Sequence, residues 1–196
     1  MDMQPALLQL QQLVQQRHPL QPHEWEAFAD IWTPFEAKRK TILTRPGETE
    51  RYLYFVTEGV QRVYFSKPDG KEATIIFTYA PSFSGVIDSL LLQKPSEYYL
   101  ETLTQSSFLR AHFHQWQKLT TESSALAQFS NEAIVHALSG VMHRMAELQC
   151  YSAEEKFMQL MKRSPHVLRL IPHKYLANYL GIDATTFSKL LGTVRL

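Results

Sequence analysis

The stretch KYLANYLGIDATTFSKLL, residues 174–191, predicts two short helices joined by a tight turn at Gly181. Glycine can take the positive φ angle that ends the first helix, and Asp183 stands where the N-cap of the second helix belongs. Ala177 is small enough to let the two helices approach closely. The apolar side chains expected between them are Leu176, Leu180, Ile182, Phe187 and Leu190. This is the pattern of a helix-turn-helix, whose second helix enters the DNA major groove.

Polar side chains on this unit are the candidates for DNA contacts. They are Lys174, Thr185, Thr186, Ser188 and Lys189. Those near the start of the second helix should face the groove, because they alternate with the apolar Phe187 and Leu190. Thr193 and Arg195 are further candidates for phosphate contacts. One helix covers only a few base pairs, so we expect two copies on double-stranded DNA with half-sites about one helical turn apart.

Charge is distributed unevenly along the 196 residues. Residues 1–150 carry 13 Lys and Arg against 16 Asp and Glu, whereas residues 151–196 carry seven against three. The C-terminal part is therefore net positive and the rest net negative, which is the electrostatic footprint expected of a nucleic-acid-binding module. Because the excess is modest, a single copy should bind DNA weakly.

Cysteine content and hydropathy exclude several classes of protein. Cys150 is the only cysteine, so an intrachain disulfide and an all-cysteine metal site are excluded. No apolar run approaches 18 residues, and no basic stretch with an apolar core begins the chain. These features predict a cytoplasmic protein.

The middle of the chain predicts an antiparallel sheet structure. Trp25, Phe28 and Trp32 have helical spacing, but from Lys38 onward the pattern changes to short runs rich in β-branched and aromatic residues. The runs are 53–59, 60–66, 72–80, 98–103 and 107–113, with turn signals between them. The predicted fold class is α+β, with an antiparallel double-stranded β-roll, jelly-roll-like, flanked by helices.

A long helix with two apolar faces follows the predicted roll. One stripe runs from Leu126 to Leu148, and Ile134, Leu138 and Met142 lie on an adjoining face. Such a helix needs two partners, and the second could be the same helix of another subunit, giving a homodimer through residues 126–148. A single wide core face in a monomer is the alternative. The predicted division is a sensor roll at 1–120, a dimerisation helix at 121–150 and a DNA-binding domain at 151–196.

This order of parts resembles the Crp/Fnr family of bacterial transcription regulators, which combine a cyclic-nucleotide-binding-like sensor domain with a helix-turn-helix. The segments that carry the resemblance are 45–48 (RPGE), 53–62 (LYFVTEGVQR), 69–72 (DGKE), 81–83 (PSF) and 176–182 (LANYLGI). With residues 152–156 (SAEEK) upstream, the last segment is similar to the Bacteroidetes-type branch, in which a short C-terminus follows the recognition helix. The resemblance implies a dimeric DNA-binding regulator that is not an enzyme, with RNA polymerase as a further partner.

In ligand-binding members of that family, a Phe-Gly-Glu segment and a later Arg-Ser or Arg-Thr pair hold the cyclic nucleotide. The matching candidate effector residues here are Phe83, Ser84, Gly85, Val86, Ser96, Glu97 and Tyr98. Gly85 falls where the Glu is expected, and Ser96 or Glu97 stands where the phosphate-binding Arg belongs. Enclosing a phosphate beside a carboxylate without a guanidinium is unfavourable. We therefore expect no standard cyclic AMP binding and no cofactor, unless Arg62 or Lys94 reaches the site. Another small-molecule effector remains open.

Two functions from other classes compete with a regulator. A metalloenzyme on a cupin-like roll could use His112 and His114, whose spacing puts both imidazoles on one strand face. However, no nucleophile, base and orienting group assemble from local motifs, so we expect neither catalysis nor a metal. The other alternative is a sensing or interaction protein with weakened DNA binding, favoured by the modest basic excess and by the few residues that follow Leu191.

Overall fold

The structure of the chain is a computed structural model that describes residues 3–193. Arg195, a candidate for phosphate contacts, lies outside the described residues. Two compact units are present, one formed by Met1–Val63 with Phe77–His136 and the other by Tyr64–Ile76 with Ala137–Leu196. The long helix is thus divided between units at residues 136 and 137. The three-part division at 120 and 150 stays a prediction.

Strands of the described chain form two four-stranded sheets. They are β1 (Trp32–Ala37), β2 (Ile42–Thr44), β3 (Tyr52–Glu58), β4 (Val60–Ser66), β5 (Glu72–Tyr79), β6 (Ser82–Ser84), β7 (Tyr99–Thr102) and β8 (Ser106–His112). The first sheet has the order β1-β8-β3-β6, and the second has the order β2-β7-β4-β5. Strand β8 pairs antiparallel with β1 and β3, and β2 with β7. The predicted antiparallel roll is confirmed, and β1, β2 and β6 are strands that the sequence pattern did not reveal.

Nine helices accompany the strands within residues 3–193. They are α1 (Met3–Arg17), α2 (Pro22–Asp30), α3 (Ile87–Leu92), α4 (Phe113–Glu122), α5 (Ser124–Cys150), α6 (Ala153–Arg163), α7 (Val167–Leu170), α8 (His173–Leu180) and α9 (Ala184–Thr193). The predicted long helix is α5, with 27 residues. The sequence SAEE at 152–155 forms a capping box that begins α6, because Ser152 and Glu155 exchange bonds between side chain and backbone. None of the described helices is long and apolar enough to cross a membrane.

The placement of Trp32 on a helical face is wrong. Helix α2 ends at Asp30, and Trp32 begins strand β1. The physical reason is Pro34, which disfavours helical backbone at Thr33 and is tolerated in β1 because β1 is an edge strand. The Trp32 ring still packs edge-on against Phe28, with ring centroids 5.5 Å apart.

The core of the first unit lies between one face of the first sheet and the helices. Phe28 is fully buried at its centre and makes edge contacts with the rings of Trp25, Trp32, Trp116 and Phe129. The buried sheet residues of this cluster are Trp32, Leu53, Phe55, Leu109 and Ala111. Because side chains alternate along a strand, the residues between them point to the opposite face of the sheet.

Helix α5 buries its apolar side chains near its start and exposes them farther along. Leu126 and Phe129 are buried in the core of the first unit. Farther along, large apolar side chains are between 42% and 62% exposed: Val135, Leu138, Val141, Met142, Met145 and Leu148. We call these six residues the exposed stripe. A row of this kind on one helix is uncommon on a monomer surface and is typical of an interaction site.

Candidate functional site

The turn between α8 and α9 has the geometry of a helix-turn-helix. Gly181 has a φ of 64°, as predicted. The Ile182 N–H donates to the Ala177 carbonyl at 3.1 Å, which closes the end of α8 in the pattern typical of a glycine C-cap. A Cβ on Gly181 would lie 3.1 Å from a Leu148 methyl group, so glycine is favoured both by the backbone angle and by the limited space.

Asp183 caps α9 as the sequence predicted. One carboxylate oxygen accepts the Thr186 N–H at 2.8 Å, and the other accepts the Thr186 hydroxyl. These bonds hold the pKa of Asp183 below its ordinary value. The Thr186 hydroxyl is therefore committed to the cap, and its side chain is half-buried.

Helix α9 presents a small polar surface to solvent. Thr185, Ser188 and Lys189 are exposed and lie three and four residues apart, which places them on one side of the helix, while Phe187 is fully buried. The Ser188 hydroxyl donates to the Ala184 carbonyl at 2.9 Å. Lys174 is exposed on α8, with its ammonium 4.7 Å from the centre of the Tyr175 ring. Four of the five predicted DNA-contact residues are thus accessible.

An asparagine that the sequence analysis did not identify fixes α8 within the second unit. The Asn178 side-chain oxygen accepts the Thr74 N–H at 2.7 Å, and its NH2 group donates to the Glu72 carbonyl at 2.8 Å. The amide thereby pairs with the backbone of β5 as a neighbouring strand would. No local motif marks this residue, because its partners are more than 100 positions away.

The next residue, Tyr179, anchors α8 to the end of α5. The buried Arg144 guanidinium lies 4.3 Å from the centre of the Tyr179 ring and donates to the Tyr179 carbonyl. Glu147 pairs with Arg144 and accepts two bonds from Arg163. Burial lowers the pKa of Arg144. Two adjacent residues of α8 therefore hold the helix through different partners.

The first half of the predicted effector segment is occupied by internal contacts. Phe83 packs against the rings of Phe55 and Phe129, with centroids 5.5 and 5.8 Å away. The buried Ser84 hydroxyl forms a hydrogen bond with the Thr78 hydroxyl at 2.9 Å. Thr78 also donates to Gln61 at 3.1 Å, and the Gln61 amide donates to the Ser106 hydroxyl at 2.9 Å. These buried polar groups therefore satisfy one another.

A buried carboxylate that the sequence analysis did not identify lies beside this segment. Glu50 accepts bonds from the Thr44 hydroxyl and from the N–H groups of Arg51, Tyr52 and Val86. Burial raises the pKa of Glu50 against the effect of these bonds. Gly85, with a φ of 148°, and the buried Val86 precede α3, so Glu50 approaches the backbone where the candidate segment turns into that helix.

In the second half of the segment, Ser96 is bonded to backbone groups of the same unit. The buried Ser96 hydroxyl bonds with the N–H and carbonyl groups of Tyr98 at 2.8 Å. Its backbone pairs with Gly47 and Glu48, also at 2.8 Å. Glu97 is exposed and Tyr98 is half-buried.

Arg62 and Lys94 are the two cations that could have replaced the missing phosphate-binding arginine, and neither is a buried side chain available to a ligand at the segment. Arg62 is buried, but its Nε lies 2.9 Å from the Glu101 carboxylate. Lys94 is exposed. Arg62 therefore already has the carboxylate partner that a buried guanidinium needs.

The expected histidine pair on one strand face is wrong. His112 ends β8 and His114 lies in α4, so the two residues do not share a strand face, although their ring centroids are 5.2 Å apart. The His112 ring instead accepts the His114 N–H and caps α4. Within the described residues, no group of three or more His, Cys, Asp or Glu side chains could hold a metal.

Comparisons with known proteins agree with this architecture. Residues 34–123 match the cyclic nucleotide-binding domain family. No curated protein matches the sequence. Among similar solved structures, FixK2 from Bradyrhizobium japonicum has a TM-score of 0.72 and 18% sequence identity, with 83% of each chain covered. A Eubacterium rectale protein assigned to the Crp/Fnr family has a TM-score of 0.69 and 18% identity, with 88% of this chain and 82% of that one covered. The catabolite activator protein of Thermus thermophilus has a TM-score of 0.57 and 21% identity, with 91% of this chain and 88% of that one covered. The chain therefore has the cyclic nucleotide-binding fold of the Crp/Fnr regulators.

Proposed function

We propose that this chain is a transcription regulator that binds double-stranded DNA as a homodimer. The observation that carries the proposal is the α8–Gly181–α9 geometry with Thr185, Ser188 and Lys189 exposed on one side of α9. In a helix-turn-helix this side of the second helix meets the base edges, and Lys174 on α8 would contact phosphate. The fold shared with the Eubacterium rectale protein, which is named as a transcriptional regulator of the Crp/Fnr family, supports the same function.

The exposed stripe supports dimerisation through residues 126–148. Its six side chains lie on the part of α5 that follows the core of the first unit. Pairing with the same helix of a second copy would remove them from water and would place two α9 helices on one DNA site. Leu138→Glu combined with Met142→Glu should convert a dimer to a monomer in light scattering. The matched control is Leu92→Glu, because Leu92 is exposed outside the stripe.

The sensor part is proposed not to bind cyclic AMP in the standard way. Ser84 and Ser96 are engaged by other groups of the chain, and Glu50 brings a carboxylate to the backbone of Val86 in the same segment. An incoming phosphate would have to displace these bonds without gaining an arginine from the segment itself, and the Arg62 guanidinium is already paired with Glu101. Calorimetry should detect no binding of cyclic AMP, and micromolar binding would contradict the proposal.

The decisive experiment is DNA binding by the purified protein. Fluorescence anisotropy with the promoter upstream of its own gene should show binding that survives excess non-specific DNA. Lys189→Ala should weaken this binding and lower the slope of log affinity against log salt by about one. Lys162→Ala, which removes a lysine exposed on α6, is the matched control. Equal effects of both variants would contradict insertion of α9 into the groove.

A second candidate function is a sensing or interaction protein of the same fold with weakened DNA binding. The observation that favours it is the single basic residue, Lys189, on the described part of α9. Absence of sequence-specific binding by a folded dimer would support this alternative. Contact with RNA polymerase and assignment to the Bacteroidetes-type branch stay predictions from the resemblance.

A further inference from the structure

Arg110 lies on the face of the first sheet that is turned away from the helices. Its neighbours in β8, Leu109 and Ala111, belong to the helix-facing core, so Arg110 points to the opposite side. In the register, Tyr54 lies directly opposite Arg110 and also directly opposite Ser84. Ser84 bonds to Thr78 of the second sheet. Arg110 therefore lies on the inner face of the roll.

Two aromatic rings hold the Arg110 guanidinium. Its central carbon is 4.3 Å from the centre of the Phe35 ring and 4.6 Å from the centre of the Tyr52 ring. Phe35 comes from β1 and Tyr52 from β3, the strands on either side of β8. Stacking of this kind orients the planar guanidinium and covers its faces, while the N–H donors along its edge remain available.

No described residue pairs with this cation through its donors. Arg110 Nε is buried without a hydrogen-bond partner, and the guanidinium forms no ion pair with a carboxylate among residues 3–193. The nearby Glu50 carboxylate is engaged by the Thr44 hydroxyl and by backbone N–H groups. This contrasts with Arg62 in the same unit, which binds Glu101. The Nε atom therefore lacks the partner that buried polar atoms normally have.

Solvent reaches the surroundings of Arg110, and a second hydrogen-bond donor, the Tyr54 phenol, lies beside it. Arg110, Phe35 and Tyr52 are half-buried, and Thr33, which also lies opposite Arg110, is exposed, so solvent reaches this end of the roll. Burial raises the pKa of Tyr54, which keeps its phenol protonated and able to donate. We propose that Arg110, framed by Phe35 and Tyr52, is a binding site for the carboxylate group of a small molecule. A planar carboxylate matches the exposed edge of a guanidinium with two parallel bonds.

The test uses backbone amide NMR spectra of the full chain, titrated with sodium acetate against sodium chloride at matched ionic strength. The Phe35 and Tyr52 amide signals should shift saturably with acetate alone. Arg110→Lys keeps the charge but loses the fork, and should weaken the apparent affinity at least about tenfold. Arg110→Gln should abolish the shift. Arg39→Gln, which removes an exposed arginine from a turn of the same unit, should leave it unchanged.

The outcomes separate the alternatives. No saturable shift up to about 100 mM acetate, or equal losses in the Arg110 and Arg39 variants, would overturn the site. Inorganic phosphate binding as tightly as acetate, with the same dependence on Arg110, would overturn the assignment to a carboxylate. If Arg110→Gln does not fold, Arg110→Lys carries the comparison. Because no DNA is present, this result is independent of the proposed regulatory function.

Discussion

The effector segment 83–98 and the helix pair α8–α9 differ in what their polar side chains bind. In the segment, Ser84 and Ser96 are buried and bond within their own unit. On α9, Thr185 and Lys189 point to solvent, while a buried scaffold beneath them fixes the helix. Groups that are satisfied internally specify a structure, whereas groups left in water at fixed positions are available to a partner. The difference is consistent with the proposals that α9 binds DNA and that the segment does not hold cyclic AMP in the standard way.

The largest expected effect comes from removing the ring that supports α9. Phe187 is fully buried, and its ring lies 5.4 Å from that of Phe157. Phe187→Ala should lower the free energy of unfolding of the C-terminal part by about 3–5 kcal/mol, because it leaves a cavity. Urea unfolding followed by circular dichroism measures the change. Leu170→Ala, at an exposed position, is the control and should change stability little. Equal losses in both variants would contradict the buried scaffold.

An intermediate effect is expected from the polar network of the effector segment. Thr78→Val keeps the shape of the side chain but removes the hydroxyl that joins Gln61 to Ser84. Leaving these buried groups unpaired should cost about 1–3 kcal/mol of unfolding free energy. Urea unfolding measures it, with the exposed Thr121→Val as control. An unchanged Thr78 variant would mean that water reaches this part of the roll, which would reopen it as a ligand site.

The anchor of α8 gives a more local effect. Asn178→Ala removes the bond that the Thr74 N–H makes with the side-chain amide. Hydrogen exchange at the Thr74 amide should become faster, with a loss of protection of about 1–2 kcal/mol. Asn178→Asp should retain the acceptor but lose the donor to the Glu72 carbonyl, and should protect Thr74 partially. The control is Asn131→Ala at an exposed position of α5. Unchanged exchange in Asn178→Ala would contradict the anchor.

Local sequence signals predicted the parts of this molecule that depend on neighbours in the chain. Gly181, Asp183 and the Ser152 capping box were predictable because each acts between residues at most five positions apart. Strands β3, β4, β5, β7 and β8 followed from runs rich in β-branched and aromatic residues and from turn signals, whereas β2 and β6 contain only three residues each. Trp32 was misplaced because its helical spacing with Phe28 outweighed the signal of Pro34.

Long-range partners could not be predicted from the sequence. Asn178 binds a strand 104 and 106 positions away, and Glu50 collects donors from both flanks of a loop and from Val86. No sequence pattern distinguishes Arg62 from Arg110, yet in the fold Arg62 pairs with the Glu101 carboxylate and Arg110 stacks on the rings of Phe35 and Tyr52. Which polar residue is satisfied depends on register between distant strands, and single-sequence patterns do not encode that register.

The smallest expected effect concerns pH and the cap of α9. The bonds from Thr186 hold the pKa of Asp183 below its ordinary value, so in moderately acidic solution the unfolded chain binds this proton more readily than the folded chain does. The contribution of the cap is therefore complete above the ordinary carboxyl pKa and is lost as the pH falls through the folded pKa. Asp183→Asn retains a capping oxygen but does not titrate. Between about pH 7 and pH 3, its thermal unfolding midpoint should fall less than that of the original chain. Glu97→Gln, at an exposed carboxylate, should follow the original chain. Parallel curves for all three proteins would contradict a contribution of the Asp183 charge to the stability of the cap that holds the exposed surface of α9 in place.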